Sequence, residues 1–105
     1  MIFVFGPLWS GKRAVARDIL RCTDMVWDVQ ELARERTDLD ALADELAAHE
    51  AVIATEIGGG VVPTDREERE TRERAGRLSC LLAERADAVV RVFCGIPTVI
   101  KGELP

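Results

Sequence analysis

Apolar residues fall in two alternating patterns along this chain. Continuous apolar runs occur at Met1-Ile2-Phe3-Val4-Phe5, Met25-Val26-Trp27, Ala51–Thr55 and Ala88–Cys94, with a shorter one at Val99–Lys101. Runs of this kind read as parallel strands covered on both faces. Between them, apolar positions recur at helical spacing. From Gly11 to about Arg21 the pairs Val15/Ile19 and Ala16/Leu20 predict a helix, and Gln30–Arg36 suits one or two helical turns. Asp38 or Asp40 starts the next helix, whose buried stripe is Leu39, Leu42, Ala43 and Leu46. Thr64-x-x-Glu67 fits a capping box, with Asp65 adding negative charge at the start of a helix running to about Arg85. Its inward face is Ala75, Leu78, Leu82 and Ala86, and its first half is nearly all charge. Glu68–Arg72, Glu70–Arg74 and Glu73–Arg77 are i,i+4 pairs in the favourable order. Alternating strands and helices predict an α/β fold, a small mainly parallel sheet flanked by helices.

Length and charge narrow the class. A chain of 105 residues holds a single core, so residues 1–105 form one domain. A net charge of −5 argues against a general nucleic-acid or anionic-membrane surface. No apolar run approaches the roughly 18 residues of a membrane span. The first residues lack a basic segment and a cleavage site, so they read as a strand and not as a signal peptide. Cys22, Cys80 and Cys94 are widely spaced and form no C-x-x-C, which suggests reduced thiols in the cytoplasm. His49 has no ligand-like spacing to any of them.

Chemistry gathers where strands end. Gly6-Pro7-Leu8-Trp9-Ser10-Gly11-Lys12 has the G-x-x-x-x-G-K spacing of a P-loop, between an apolar strand and a predicted helix. In such a loop backbone N–H groups point at phosphate oxygens, glycine permits the close approach, and Lys12 supplies charge to the outer phosphates. The residue that would hold Mg²⁺ with a hydroxyl is here Arg13. A guanidinium cannot ligate a cation, but its planar fork can hold phosphate oxygens, so binding is expected to depend less on Mg²⁺. Asp28 closes the second apolar run, as a Walker-B-type acid or as a helix cap. Glu56 ends the third run and precedes Gly58-Gly59-Gly60 and Pro63, either a backbone shaped for a ligand or a plain connection.

These residues resemble the adenosylcobinamide kinase / adenosylcobinamide-phosphate guanylyltransferase family. Met1–Leu20 looks like that family's first strand, P-loop and helix. The segment Val52 to Pro63, with Glu56, Gly58 and Gly60, is similar to the family's T-N-E-V-G-x-G-I-V-P. Arg72, Ala75-Gly76-Arg77 and Val92–Lys101, with Gly95, Pro97 and Lys101, follow at matching distances. The resemblance implies a RecA-like P-loop NTPase core that phosphorylates the aminopropanol hydroxyl of adenosylcobinamide and then uses GTP through a guanylylated histidine. It implies ATP or GTP as cofactor, Gly6 to Arg13 as the nucleotide site, and Lys12, Asp28 and Glu56 as catalytic residues, with Asp28 on Mg²⁺. Thr55 stands for the family's Asn, Ser79-Cys80 for its Asn-Gln, and the stretch that carries the histidine is missing. His49 lies elsewhere, at the end of a predicted helix. Two readings follow. One is a shortened adenosylcobinamide kinase without guanylyl transfer. The other is a catalytically degenerate relative that binds a nucleotide or corrinoid, or completes a homo-oligomer.

Overall fold

The computed structural model describes residues 1–56 and 65–104. Five strands form one sheet in the order β2-β3-β1-β4-β5: β1 Ile2–Gly6, β2 Met25–Val26, β3 Ala51–Thr55, β4 Ala88–Phe93 and β5 Ile96–Lys101. The first four strands are parallel and β5 is antiparallel to β4. The α/β expectation is met. The central strand β1 pairs with β3 from Ile2 opposite Ala51 to Gly6 opposite Thr55, so both strands end at one level.

The pleat divides the core in two. Phe3, Val52, Ala54 and Val89 face one way, under Val29 and Ala33 of the 3₁₀ helix Val29–Arg34 and under two α-helices, α2 (Leu39–Leu46) and α3 (Arg66–Arg85). Val4, Ile53, Val90 and Val92 face the other way, under Val15, Ala16 and Leu20. Among the described residues the second face is covered by the helical segment 12–19, here α1, and Cys22, Met25, Trp27 and Leu104 pack in the same cluster.

Several local expectations are refined. The helix predicted from Gly11 to about Arg21 is an α-helical turn at Lys12–Ala14 that widens into a π-helix at Val15–Ile19. Its i→i+5 closure, Leu20 N–H to the Val15 carbonyl at 2.9 Å, turns Leu20 inward and leaves Ile19, expected on the buried face, 55 % exposed. In α2 the stripe is as expected, and Asp38 is the cap, accepting from Ala41 N–H at 3.0 Å. At α3 the cap is Asp65, accepting from Glu67 N–H at 3.0 Å. Thr64, Gly58 to Gly60 and Pro63 lie outside the described residues. Ala75, Leu78, Leu82 and Ala86 are buried as predicted.

Arg74 does not pair with Glu70. It donates to the Ala33 carbonyl at 2.8 Å and to the Arg36 carbonyl, while Glu70 takes Arg66. An exposed i,i+4 pair is worth a few tenths of a kcal/mol, and the carbonyls ending a short helix need donors more. The predicted fourth strand stops at Phe93, because Cys94 and Gly95 form a two-residue turn with φ of 52° and 75°. That left-handed pair has the twist of a type I′ hairpin, and it extends β5 back to Ile96, ahead of the predicted Val99.

Candidate functional site

Parallel strands that end together leave an edge where a loop can turn over them. Gly6 is the last residue of β1, and a Cβ there would lie 2.2 Å from the Val92 carbonyl and 2.8 Å from Ser10 Oγ. Only glycine lets the chain leave the sheet at this point. The loop then folds onto itself. Ser10 N–H donates to the Pro7 carbonyl at 3.2 Å, and Lys12 Nζ donates to that carbonyl at 2.7 Å. Gly11 has φ 92° and caps α1. A Cβ on it would come within 3.0 Å of Gly95 Cα. The β4–β5 turn is docked on the loop by the Gly95 N–H bond to the Ser10 carbonyl, at 2.7 Å.

The loop from Leu8 to Arg13, with Trp27, Asp28, Ile53 and Thr55, encloses a cavity of about 500 Å³. That is within the size range of small-ligand sites. Two polar side chains sit deep in it. Ser10 is 4 % exposed and its Oγ has no hydrogen-bond partner among the described residues. Lys12 is 8 % exposed. Its ammonium is pushed below the usual lysine range, first by burial and also by the neighbouring Arg13, while Asp28 and Glu56 oppose the shift. A buried hydroxyl and a buried cation, each short of partners, are what an anion with acceptor oxygens would satisfy.

Arg13 lies at the mouth. Its guanidinium carbon is 5.1 Å from the centre of the Trp27 ring, and one terminal nitrogen is 3.9 Å from Asp28 Oδ2. Trp27 and Asp28 follow β2 directly, so one strand end supplies both contacts. Asp28 has φ 53°, a left-handed conformation rare outside glycine. Trp9, at φ 63° and 91 % exposed, stands on the rim.

The structure thus lines one cavity with Lys12, Arg13 and Asp28 and places Glu56 on the neighbouring one, still close enough to act on the Lys12 charge. Glu56 N–H donates to the Gly6 carbonyl at 2.8 Å. Its carboxylate is gripped by Arg91, at 2.7 Å from Nε and 3.2 Å from Nη2. It lines a second cavity of about 200 Å³ with Phe5, Gln30, Ala75, Gly76 and Ser79. Thr55 lines both cavities. Its N–H donates to buried Gln30 Oε1 at 3.0 Å. Trp27, Thr55 and Arg91 were not among the expected site residues. Arg91 carried a signal, as a charge inside the apolar run of β4. His49 is remote. It precedes β3, whereas the loop follows the parallel β1, so a strand length of about 15 Å separates them. Its Nδ1 is 2.9 Å from Asp24 Oδ1.

Fold and site together define an α/β protein with a glycine-turned loop and buried lysine at the carboxyl edge of its sheet. The profile of the cobinamide kinase / cobinamide phosphate guanyltransferase family matches residues 21–100, and the chain belongs to that family. It is also similar to the bifunctional adenosylcobalamin biosynthesis protein CobU of Salmonella typhimurium (strain LT2), 35 % identical over 79 residues. That match takes in 71 % of this chain and 44 % of CobU, so the chain spans less than half of that relative. The profile match begins after the loop, whose reading rests on its own geometry. Among the described residues, no helix is long and apolar enough to cross a membrane.

Proposed function

We propose that this chain binds ATP or GTP by its phosphates in the loop from Gly6 to Arg13, and that it phosphorylates adenosylcobinamide without carrying out guanylyl transfer. The observation that carries the binding is the pair Ser10 Oγ and Lys12 Nζ, both buried in one cavity at the carboxyl edge. Phosphoryl transfer asks a protein mainly for positioning and charge. Lys12 would neutralise the outer phosphates, and loop N–H groups would hold them. The acceptor would approach from the second cavity across Thr55, with Glu56 receiving its hydroxyl proton and Arg91 fixing the carboxylate. Family membership supports the nucleotide and cobinamide as ligands.

Magnesium fits the first cavity poorly. A hard cation needs oxygen donors. The position expected to offer a hydroxyl carries Arg13, and Asp28 is already beside that guanidinium. Binding would instead rest on Lys12, Arg13 and the loop N–H groups. The alternative reading, a binder that does not turn over, is favoured by the same fact that both acids face arginines. A homo-oligomer is supported by β5, the terminal strand, which exposes Ile96, Val99 and Ile100.

The test is calorimetric titration with ATP and GTP, followed by transfer of labelled γ-phosphate to adenosylcobinamide. Binding with transfer supports the kinase, and binding without transfer supports the degenerate reading. Absence of binding by either nucleotide defeats both. After incubation with GTP, mass spectrometry should find no GMP adduct on His49, since no side chain spans the strand length to the loop. An adduct would point to catalysis across a subunit boundary.

A further inference from the structure

We infer that Arg13, held between the Trp27 ring and the Asp28 carboxylate, is a built-in counter-ion of this cavity, which takes a polyphosphate chain in its metal-free form. This rests on the phosphate reading of the loop and adds the ionic form of the ligand.

Three observations point the same way. The first is the hold on Arg13. Its guanidinium carbon lies over the Trp27 ring, 5.1 Å from the centroid, a cation–π contact that favours this placement of the fork. The Asp28 oxygen at 3.9 Å is beyond hydrogen-bond distance, so it attracts the fork without saturating it. Arg13 remains 74 % exposed and can offer parallel N–H donors to the mouth of the cavity. The second is the pair of adjacent cations. Lys12 and Arg13 are successive in the chain and both line the cavity, and an anion between them relieves the repulsion of their like charges. The third is the orphan Ser10 Oγ, buried in the same cavity and able to donate to a phosphate oxygen. A divalent cation bound at the mouth would sit against the Arg13 guanidinium and be repelled by it. A free polyphosphate meets two cations and a donor.

The molecule carries its own reporter. It has two tryptophans and no tyrosine, and both tryptophans line this cavity. The chain is titrated with ATP, GTP and inorganic tripolyphosphate, in EDTA and in excess Mg²⁺, following tryptophan emission and, separately, heat. Wild type should bind in EDTA at least as tightly as in Mg²⁺, with emission changing as Trp27 loses or shares its stacking partner. Arg13→Ser should weaken binding in EDTA by about tenfold, the loss of charge-assisted bonds, and regain affinity when Mg²⁺ is added. Arg13→Lys should recover only part of the EDTA affinity, because it keeps the charge without the fork. Wild-type binding that appears only with Mg²⁺ overturns the inference, leaves the nucleotide reading standing, and returns Asp28 to a metal role. No binding of any of the three probes in either buffer defeats the nucleotide reading itself.

Discussion

The helical face of the sheet and its carboxyl edge are built differently. Under α2 and α3, Phe3, Leu42, Leu78 and Leu82 are all 2 % exposed or less and share one apolar cluster. At the edge a lysine is buried, a serine hydroxyl has no partner, and Trp9, Asp28 and Cys94 hold positive φ. Each such residue costs roughly 1–2 kcal/mol against an ordinary backbone. The helical face gains free energy from close packing. The edge gives some back, holding polar groups buried and short of partners. Damage to the first region should therefore appear as lost stability, and damage to the second as lost binding.

The largest effect is expected from the packed face. Leu82 is fully buried within the larger cluster. Leu82→Ala should lower unfolding free energy by about 2–5 kcal/mol, the usual sum of lost transfer energy and a residual cavity. Urea denaturation measures it. The fraction still folded should bind nucleotide as wild type does. A weaker dissociation constant for that fraction would mean that the two regions are mechanically coupled.

Next is the mirror experiment. Lys12→Ala should cost nucleotide affinity about 10–100-fold, as expected for hydrogen bonds to a charged partner. Its urea midpoint should hold or rise, because a buried cation that no carboxylate among the described residues pairs directly is removed. Calorimetry with ATP and a denaturation curve on the same sample decide it. Unchanged affinity in folded protein would remove the loop from the binding site.

The same contrast explains what the sequence made legible. The packed face was readable because its rule is periodic. Leu39, Leu42, Ala43 and Leu46 in α2, and Ala75, Leu78 and Leu82 in α3, follow a spacing that only burial produces. The loop's turn was readable because Gly6 leaves no room for a side chain and Gly11 takes a positive φ, so glycine is required at fixed positions. What escaped was set by tertiary choices. The π-helical widening at Val15–Ile19 depends on which residues the sheet accepts. Arg74 left its helical neighbour for carbonyls of the 3₁₀ helix and the residues after it, distant in the chain. Lys12, Asp28 and Glu56 were read as one cluster because all follow strands. Alternation along the strand end decides the face, and it sends Glu56 to the neighbouring cavity with Arg91. Arg13 was readable as a departure, but not Trp27 as its stacking partner.

A smaller test works through alkaline pH. Burial holds the Lys12 pKa below its ordinary value of 10.5. Between that depressed value and the unfolded one, the unfolded chain binds the extra proton, so folding stability contributed by Lys12 rises as pH rises. Binding has the opposite sign, since deprotonation removes the cation that meets phosphate. Affinity for tripolyphosphate should fall with rising pH while the urea midpoint, corrected with Lys12→Ala, does not fall with it. Parallel decline of both would show general alkaline unfolding instead.

The smallest effect belongs to the amino edge of the sheet, away from the loop. Glu50 accepts from Thr23 N–H at 3.3 Å and from its hydroxyl at 3.2 Å. These bonds, the backbone one foremost, hold its carboxyl below the ordinary 4.5. A carboxyl depressed in the folded state adds stability above its unfolded pKa and loses it as pH falls through the folded value. The group is exposed, so the contribution is screened and small. Urea midpoints from pH 7 down to pH 3 should fall more for wild type than for Glu50→Gln, which has no proton to gain at that position. Tripolyphosphate affinity at pH 7 should be the same in both, because Glu50 lies a strand length from Lys12. Equal acid sensitivity in the two proteins would place the loss elsewhere among the exposed ion pairs. A change in affinity would break the separation between a scaffold that stores stability and an edge that spends it on a ligand.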